Sequence, residues 1–214
     1  ETTFVEVGET KTLMSRKNRI KDEKFKVGDT IKALIRSVHF DKRLGIKIEL
    51  TRTSPKFLEA LLKAGVPEIK EGSVIIQNSA RIPGKKAKVA FFSTSPNVDA
   101  VGTAVGVKGV RINAVSKELN GENIDAIEYS ADPAIFVARA LSPARIISVK
   151  IEDKKAVVMI DAEQKSKAIG QAGINIRLAS MLTGYEIELI ESGSSEHKDN
   201  EEGLKNLKAL FGEE

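Results

Sequence analysis

The chain of 214 residues contains no cysteine and no tryptophan, and its only histidines are His39 and His197. Without cysteine, disulfides, thiol nucleophiles and cysteine-ligated metals or clusters are excluded. Two histidines are too few for a histidine-rich metal site. Aromatic residues make up only 5% of the chain, so few aromatic rings are present to stack on a ligand. We predict neither a metal nor a cofactor.

Long apolar runs are also missing. The longest uninterrupted ones, residues 134–138 and 156–160, are far shorter than the ~20 residues that a membrane-spanning helix needs. The first residues of the given sequence do not have the pattern of a signal peptide, so we expect none. We therefore expect no membrane partner, and we expect the cytoplasm as the compartment, in agreement with the absence of cysteine.

Sequence motifs of common enzymes are absent as well. The chain has no Gly-x-x-x-x-Gly-Lys-Ser/Thr phosphate loop, no His-Glu-x-x-His and no Gly-x-Ser-x-Gly. The paired carboxylates Glu152-Asp153 and Glu201-Glu202 lie in charged turns that are typical of solvated surface. The sequence thus predicts a protein that is not an enzyme and has no catalytic residue.

Charge is unevenly distributed along the chain. The net charge is +4, but residues 1–54 carry 13 basic and 8 acidic groups, whereas residues 192–214 carry 3 basic and 6 acidic groups. A basic body with an acidic tail is consistent with a polyanionic partner. Residues 192–214 begin with the polar stretch Ser192–Asn200, which predicts a linker, and end with leucines at helical spacing, which predict a short helix.

The first fifty residues have the pattern of a strand-rich module. Short alternating or β-branched segments, separated by turn residues, predict strands at 4–7, 10–13, 30–40 and 44–50. Four strands with basic turns favour a small barrel of the OB type, which needs five strands. Because the chain begins almost inside a strand, we expect that the first strand of the barrel is missing.

The remainder of the chain repeats one order of elements, which is helix, strand, strand, helix, helix, strand. The first copy starts with a helix that Ser54-Pro55 opens and Gly65-Val66-Pro67 stops. It continues with strands at 74–80 and 87–92, helices at 98–105 and 110–119, and a strand at 124–129. The second copy has helices at 133–140, 165–169 and 174–182 and strands at 145–151, 156–160 and 185–190.

Within both copies the two adjacent helices are joined by the same short motif. Gly106-Val107-Lys108-Gly109 in the first copy matches Gly170-Gln171-Ala172-Gly173 in the second, and hydrophobic residues flank both motifs. Two glycines permit tight backbone dihedrals and a close approach of another backbone. Each loop also leads into a helix N-terminus, which favours an anion such as a phosphate. One such loop is a weak signal, but two in the same helix–helix context favour function.

This duplicated arrangement resembles paired KH domains of type II, in which a Gly-x-x-Gly loop clamps the backbone of four nucleotides. The chain from about residue 4 to residue 191 is similar to the RNA-binding region of the NusA family of bacterial transcription termination and antitermination proteins. The resemblance is carried by stretches such as Lys26-Val27-Gly28-Asp29, Arg81-Ile82-Pro83-Gly84, Asn120-Gly121-Glu122-Asn123-Ile124-Asp125 and Arg177-Leu178-Ala179-Ser180. The second loop departs from the family, where a basic residue usually follows the first glycine.

The resemblance implies a multi-domain α+β chain. It would comprise an OB-fold module at 1–53, truncated at its N-terminus, KH domains at 54–131 and 132–191, and an acidic tail with a short helix at 192–214. Single-stranded RNA is the implied partner, and RNA polymerase would be bound mainly through an N-terminal family domain that this sequence does not contain. Other antitermination factors are further implied partners. The predicted RNA-binding residues are those of the two loops together with nearby polar and basic groups: Gly106, Val107, Lys108, Gly109, Arg111, Gly170, Gln171, Ala172, Gly173, Asn175, Arg177, Lys85 and Lys86.

Three functions remain open at this point. The first is an RNA-binding factor that controls pausing, termination and antitermination of transcription through nascent RNA. The second is a KH and OB module of an RNA-processing or RNA-decay factor, which the absence of a nuclease core disfavours. The third is a protein-interaction scaffold in which the glycine loops are only structural. In the OB module, the groups available to contact RNA are Phe25, His39 and Phe40 with Arg36, Lys42 and Arg43. A core position for Phe25 or Phe40 is equally consistent with the sequence, and the pattern favours an ordinary barrel residue over a catalyst for His39.

Overall fold

The computed structural model describes residues 2–43 and 45–193, which form two compact units that divide between Tyr129 and Ser130. Leu44, most of the predicted linker and the predicted C-terminal helix lie outside the described residues. No helix among the described residues is long and apolar enough to cross a membrane. The structure confirms a mixed α+β chain with a strand-rich start.

The strand-rich start is a single four-stranded sheet. Its strands are β1 (Thr3–Val7), β2 (Thr10–Met14), β3 (Leu34–Asp41) and β4 (Gly45–Thr51). They lie in the order β1-β2-β4-β3, with antiparallel outer pairs and a short parallel contact between Leu13 and Glu49. All four predicted strands are present, and the sheet that the described residues form is open. The complete five-stranded barrel stays a prediction.

The first KH-type domain follows directly. Its helices are α1 (Pro55–Gly65), α2 (Pro67–Glu71), α3 (Ala100–Val105) and α4 (Val110–Glu118), and its strands are β5 (Val74–Ile82), β6 (Lys86–Ser93) and β7 (Asn123–Glu128). The side chain of Ser54 caps α1 by accepting from the amide of Lys56 at 3.2 Å, and Pro55 occupies the first turn, where its missing N–H is not needed. In the sheet, β6 lies between antiparallel β5 and parallel β7.

The core of this domain includes a residue from the strand-rich module. Ile20 is fully buried in the same hydrophobic cluster as Leu58 and Leu62 of α1 and Val89 and Phe91 of β6. Because apolar burial is the main source of stability in folded chains, this residue attaches the preceding segment to the domain. Residues 2–129 therefore form one compact unit.

A buried arginine makes the same connection through polar contacts. Arg52, at the end of β4, is 3% exposed, and its guanidinium lies 2.6 Å from the Glu23 carboxylate and 3.0 Å from that of Glu118. It also donates to the main-chain oxygens of Lys32 and Glu118. A buried charge needs such complete pairing. Arg52 thus links the strand-rich module to the C-terminal end of α4.

The second KH-type domain repeats the architecture of the first without the short helix α2. Its elements are α5 (Pro133–Ala140), β8 (Ser148–Glu152), β9 (Lys155–Ile160), α6 (Ala162–Ile169), α7 (Ile174–Thr183) and β10 (Glu186–Glu191). The central strand β9 is antiparallel to β8 and parallel to β10. Both domains therefore present a helix–loop–helix beside a sheet with one parallel edge strand.

Candidate functional site

The two glycine loops have nearly the same backbone conformation. In the loop between α3 and α4, Gly106 has φ 77° and ψ 168°, Lys108 has φ 53° and ψ 24°, and Gly109 has φ 76° and ψ 12°. In both loops the amide of the second glycine donates to the oxygen of the first, at 3.0 Å in the first loop and 3.1 Å in the second. The sequence repeat is therefore a repeat of geometry.

The loop between α6 and α7 follows the same path with different side chains. Gly170 has φ 74° and ψ 174°, Ala172 has φ 52° and ψ 28°, and Gly173 has φ 70° and ψ 12°. A non-glycine residue in the left-handed region is uncommon and often marks a functional site. Lys108 and Ala172 hold this conformation at matching positions, and both side chains are exposed.

A side-chain tether fastens each loop at the same place. Arg111, the second residue of α4, donates to the main-chain oxygen of Thr103 at 2.9 Å. Asn175, the second residue of α7, donates to the oxygen of Lys167 at 3.3 Å. Thr103 and Lys167 occupy equivalent positions, three residues before the first glycine. Two different side chains therefore perform the same task of holding the two helices together across the loop.

The tethers differ in their remaining partners. Arg111 also contacts the Glu68 carboxylate at 2.9 Å, whereas Asn175 is 3% exposed and donates to the oxygens of Leu141 and Ala168. A main-chain hydrogen bond at Glu68 and the Arg111 guanidinium hold the pKa of Glu68 below its usual value. The first tether therefore includes an ion pair with a carboxylate, and the second does not.

The first glycine of each loop makes room for the tether. A Cβ atom on Gly106 would lie 2.8 Å from Cγ of Arg111, and a Cβ atom on Gly170 would lie 2.6 Å from Cβ of Asn175. Such distances are too short for carbon atoms that are not bonded. Glycine is required here both for the close approach and for the positive φ.

The predicted RNA-binding residues separate into groups with different environments. Val107, Lys108, Gln171 and Ala172 at the loop tips are exposed, as is Arg177 in the second turn of α7. Arg111 and Asn175 are engaged in the tethers. The exposed groups can meet a ligand directly, and the tethered ones can act by positioning the loop. Direct contact of any of them with RNA stays a prediction.

The structure places Lys85 and Lys86 away from the first loop. Lys86 pairs in register with Asn123, the first residue of β7, which follows the C-terminal end of α4. The loop is at the opposite end of α4, a nine-residue helix that is about 14 Å long at 1.5 Å per residue. Lys86 is also paired with Asp125 at 2.9 Å, whereas Lys85 is exposed. Lys85 is therefore the more available of the two cations.

Among the candidates in the strand-rich module, exposure separates the aromatic groups. Phe40 is 77% exposed, so it is not a core residue and its ring is available to a ligand. Phe25 is partly buried, and the Arg52 guanidinium lies 5.6 Å from its ring centroid. Lys42, Arg43 and His39 are exposed, while Arg36 donates to the side chain of Asn18. These residues present one exposed aromatic ring among basic groups.

Sequence reasoning missed the tethering role of Arg111 and Asn175. The repeat alignment pairs these two positions, but one is cationic and the other is an amide, so the alignment alone gives no common chemistry. Their partners are main-chain oxygens, which every residue carries, so no pattern of residue types reveals these contacts. The basic segment between Arg16 and Lys24 was likewise not among the predicted sites, although the excess of basic groups in residues 1–54 indicated such a region.

Two helix–Gly-x-x-Gly–helix units, each beside a three-stranded sheet with one parallel edge strand, define a protein with tandem type II KH domains. Comparison with family models agrees with this class. The NusA-like first KH domain matches residues 52–129, and the NusA-like second KH domain matches residues 133–197.

Comparison with individual proteins of known name identifies the family. The chain is 46% identical over 245 residues to the transcription termination/antitermination protein NusA of Helicobacter pylori (strain ATCC 700392 / 26695), with 99% of this chain and 62% of the relative covered. It is 44% identical to the protein of the same name from Thermus thermophilus and 38% identical to that of Bacillus subtilis, and the alignments cover 94% and 87% of this chain. The chain belongs to the NusA family.

The chain spans only part of these relatives. It covers 62% of the Helicobacter pylori protein, 52% of the Thermus thermophilus protein and 50% of the Bacillus subtilis protein. The matching part includes both KH domains and the strand-rich module.

Proposed function

We propose that this chain binds single-stranded nascent RNA as the RNA-binding region of a bacterial transcription elongation factor that controls pausing, termination and antitermination. The observation that carries the proposal is the pair of exposed glycine loops with matching dihedrals. KH loops of this form clamp the RNA backbone. The names of the relatives supply the process of transcription termination and antitermination, and they favour it over RNA processing or decay.

The chemistry of the site is binding without catalysis. The main-chain amides at the start of α4 and α7, together with the helix dipoles, favour a phosphate beside each loop. Lys108 adds a positive charge in the first loop, and Arg177 supplies one near the second. We infer no catalytic residue and no metal, and we infer that the chain acts in the cytoplasm. Association with RNA polymerase and with other antitermination factors belongs to the whole protein.

We further infer how the chain divides into domains and what each domain contributes to RNA binding. Residues 1–53 form an OB-type module, residues 54–131 and 132–191 form the two KH domains, and residues 192–214 form an acidic tail. The matches of the two KH family models to 52–129 and 133–197 lie close to these limits. RNA would enter both KH domains, while the OB-type module supplies additional basic surface.

The proposal is tested by placing negative charge at the loop tips of the full chain. The variant Val107→Asp/Lys108→Asp alters the first loop, and Gln171→Asp/Ala172→Asp alters the second. Because both sites are exposed, the fold should persist while repulsion of the phosphate weakens binding of single-stranded RNA by about tenfold or more, or about 1.4 kcal/mol. A filter-binding titration measures the affinity, and circular dichroism checks the fold.

A matched control keeps the change of charge but moves it away from the loops. Lys63→Asp/Ala64→Asp at the C-terminal end of α1 has the same residue charges as the first loop variant, and both positions are exposed. The control should retain most of the RNA affinity. If both loop variants bind RNA as well as this control does, the loops do not bind RNA and the proposed function is wrong.

A further inference from the structure

The short helix α2 places a carboxylate beside the first glycine loop. Glu68, the second residue of α2, accepts from Nη1 of Arg111 at 2.9 Å and from Nη2 at 3.4 Å. Arg111 is the second residue of α4, which begins directly after the loop. Glu68 lies outside the glycine motif, so its contact with the loop tether arises only from the fold of the domain.

The main chain around Glu68 is attached to the core of the first KH domain. Val66, which precedes α2, is fully buried, and Ile69 packs against the hydrophobic cluster of this domain. The hydroxyl of Ser73 also donates to the main-chain oxygen of Glu68 at 3.2 Å. The Glu68 carboxylate is therefore held from the core, and through Arg111 it connects the glycine loop to that core.

The guanidinium of Arg111 directs its hydrogen bonds into the protein. Nη1 donates to Glu68 at 2.9 Å and to the main-chain oxygen of Thr103 at 2.9 Å, which accounts for both of its hydrogens. The aliphatic part of Arg111 lies against Gly106, where an added Cβ atom would be 2.8–3.1 Å from three of its carbons. A charge-assisted contact between arginine and a carboxylate is stronger than a neutral hydrogen bond. A phosphate that reached this guanidinium in place of Glu68 would have to break that contact.

The ion pair also changes which cation of the first loop is available to RNA. The opposite charges of Arg111 and Glu68 cancel, whereas Lys108 at the loop tip is exposed and forms no ion pair with another described residue. In the second KH domain, the position equivalent to Arg111 holds the neutral Asn175. This helix position therefore supplies no net charge in either domain, and Lys108 is the available cation in the first loop.

We propose that Glu68 is a positioning residue of the first RNA site, whose carboxylate holds the Arg111 guanidinium in the tether and away from the RNA. The phosphate then meets the loop amides and Lys108. The inference rests on the proposed function and deepens it, because it assigns Arg111 to the support of the loop rather than to contact with RNA. One consequence runs against simple electrostatics. Loss of the negative charge of Glu68 should weaken binding of a polyanion, although removal of a like charge alone would strengthen it.

The experiment compares charge-neutralised variants of the full chain, which are Glu68→Gln, Arg111→Gln, the combination of these two, Lys108→Gln and Glu71→Gln. Glu71 is exposed at the end of α2, so its variant is a matched control that removes the same charge from the same helix. Fluorescence anisotropy with a single strand of about ten nucleotides, long enough for two KH loops, gives the affinity over a range of salt concentrations. Circular dichroism and urea denaturation check the fold of each variant.

We expect Glu68→Gln and Arg111→Gln each to bind RNA about fivefold more weakly than the Glu71→Gln control. The combined variant should bind no more weakly than Arg111→Gln, because the two residues act as one unit. Lys108→Gln should make the slope of log affinity against log salt shallower by about 0.7, the contribution of one phosphate contact. Arg111→Gln should leave this slope unchanged, because the guanidinium meets no phosphate.

Two outcomes would overturn the proposal. If Glu68→Gln binds RNA as well as Glu71→Gln does, whatever its effect on unfolding, Glu68 stabilises the domain without positioning the loop. If Arg111→Gln makes the salt slope shallower by about 0.7, as Lys108→Gln does, Arg111 itself contacts a phosphate. In both cases the proposed function stands, since the unaltered chain still binds the strand. If the unaltered chain does not bind it, the proposed function itself fails.

A second measurement follows the loop in the absence of RNA. The amide of Gly109 closes the first loop by donating to the oxygen of Gly106 at 3.0 Å, and the amide of Gly173 closes the second loop in the same way. Hydrogen exchange measured by NMR should be faster at Gly109 in Glu68→Gln than in Glu71→Gln, and equal at Gly173 in the two variants. Equal exchange at Gly109 in both variants would contradict a positioning role of Glu68.

Discussion

Arg81 donates a hydrogen bond of 2.7 Å from Nη1 to the main-chain oxygen of Arg52. One buried arginine thus holds the backbone of another, at the point where the strand-rich module becomes the first KH domain. Arg81 also forms a 2.7 Å ion pair with Glu122, and neither of these side chains is exposed. Through Glu122, which accepts from the amide of Gly84 at 2.8 Å, the pair extends to the turn between β5 and β6.

This buried pair predicts a large effect of Arg81 on stability. The Arg81→Ala variant leaves Glu122 as an unpaired buried carboxylate, which costs on the order of 3–5 kcal/mol. As a control, Lys56→Ala breaks an exposed ion pair with Glu59 and should cost less than about 1 kcal/mol. Urea denaturation, with hydrogen exchange at amides of residues 2–129, measures both. A loss below 1 kcal/mol in the Arg81 variant would contradict the role of this pair.

The two glycines of the second loop should differ in their tolerance of alanine. Both have positive φ, but only Gly173 lies in the left-handed helical region, where alanine costs about 1 kcal/mol. Gly170, with ψ 174°, has a backbone conformation that essentially only glycine adopts. A Cβ atom on Gly170 would also collide with Asn175, whereas one on Gly173 has no neighbouring atom within 4 Å. We therefore expect Gly170→Ala to lower RNA affinity and stability more than Gly173→Ala does. Filter binding and thermal unfolding measure the two quantities, and equal effects would show that the close approach to Asn175 is unimportant.

Acid should loosen the first loop before the second. The lowered pKa of Glu68 means that its carboxylate stabilises the folded tether above the ordinary pKa of about 4.3, and this contribution is lost as the pH falls through the lower folded value. Asn175 has no ionisable group, so the second tether should not change. Amide exchange at Gly106 and Gly170 measured by NMR between pH 6 and pH 3 checks this. Glu68→Gln should abolish the difference between the loops, and parallel loosening in the unaltered protein would contradict the explanation.

The comparison of sequence and structure shows where local patterns suffice. Helix α5 begins at Pro133 and ends at Ala140 as the sequence predicts, because its capping residue, first-turn proline and apolar spacing are all local signals. The repeat also located both loops. The short helix α2, Pro67–Glu71, was missed, because Pro67 was interpreted only as the end of the preceding helix.

Contacts between distant residues could not be read in this way. Arg111 and Glu68 are 43 residues apart, and the charges of both are compatible with many surface positions. Ile20 has basic residues on both sides in the sequence, yet it is fully buried in the core of the following domain. Such relationships depend on how the elements pack, so single-sequence periodicity does not contain them.

The most direct test of the account asks whether one RNA strand engages both glycine loops. Each KH loop clamps about four nucleotides, so a strand of about ten nucleotides should reach both loops and one of about four should fill only one. The full chain, the two single-loop Asp variants and their combination are titrated with both strands. For the longer strand, we expect each single variant to lose about tenfold or more in affinity, because an intramolecular second contact is lost.

For the shorter strand, each single variant should lose only about twofold, since the other loop still offers a site, and the combined variant should lose binding. That pattern would establish two loops acting on one strand. If a variant of either loop binds the ten-nucleotide strand as tightly as the unaltered chain, that loop does not hold RNA and the central claim is contradicted.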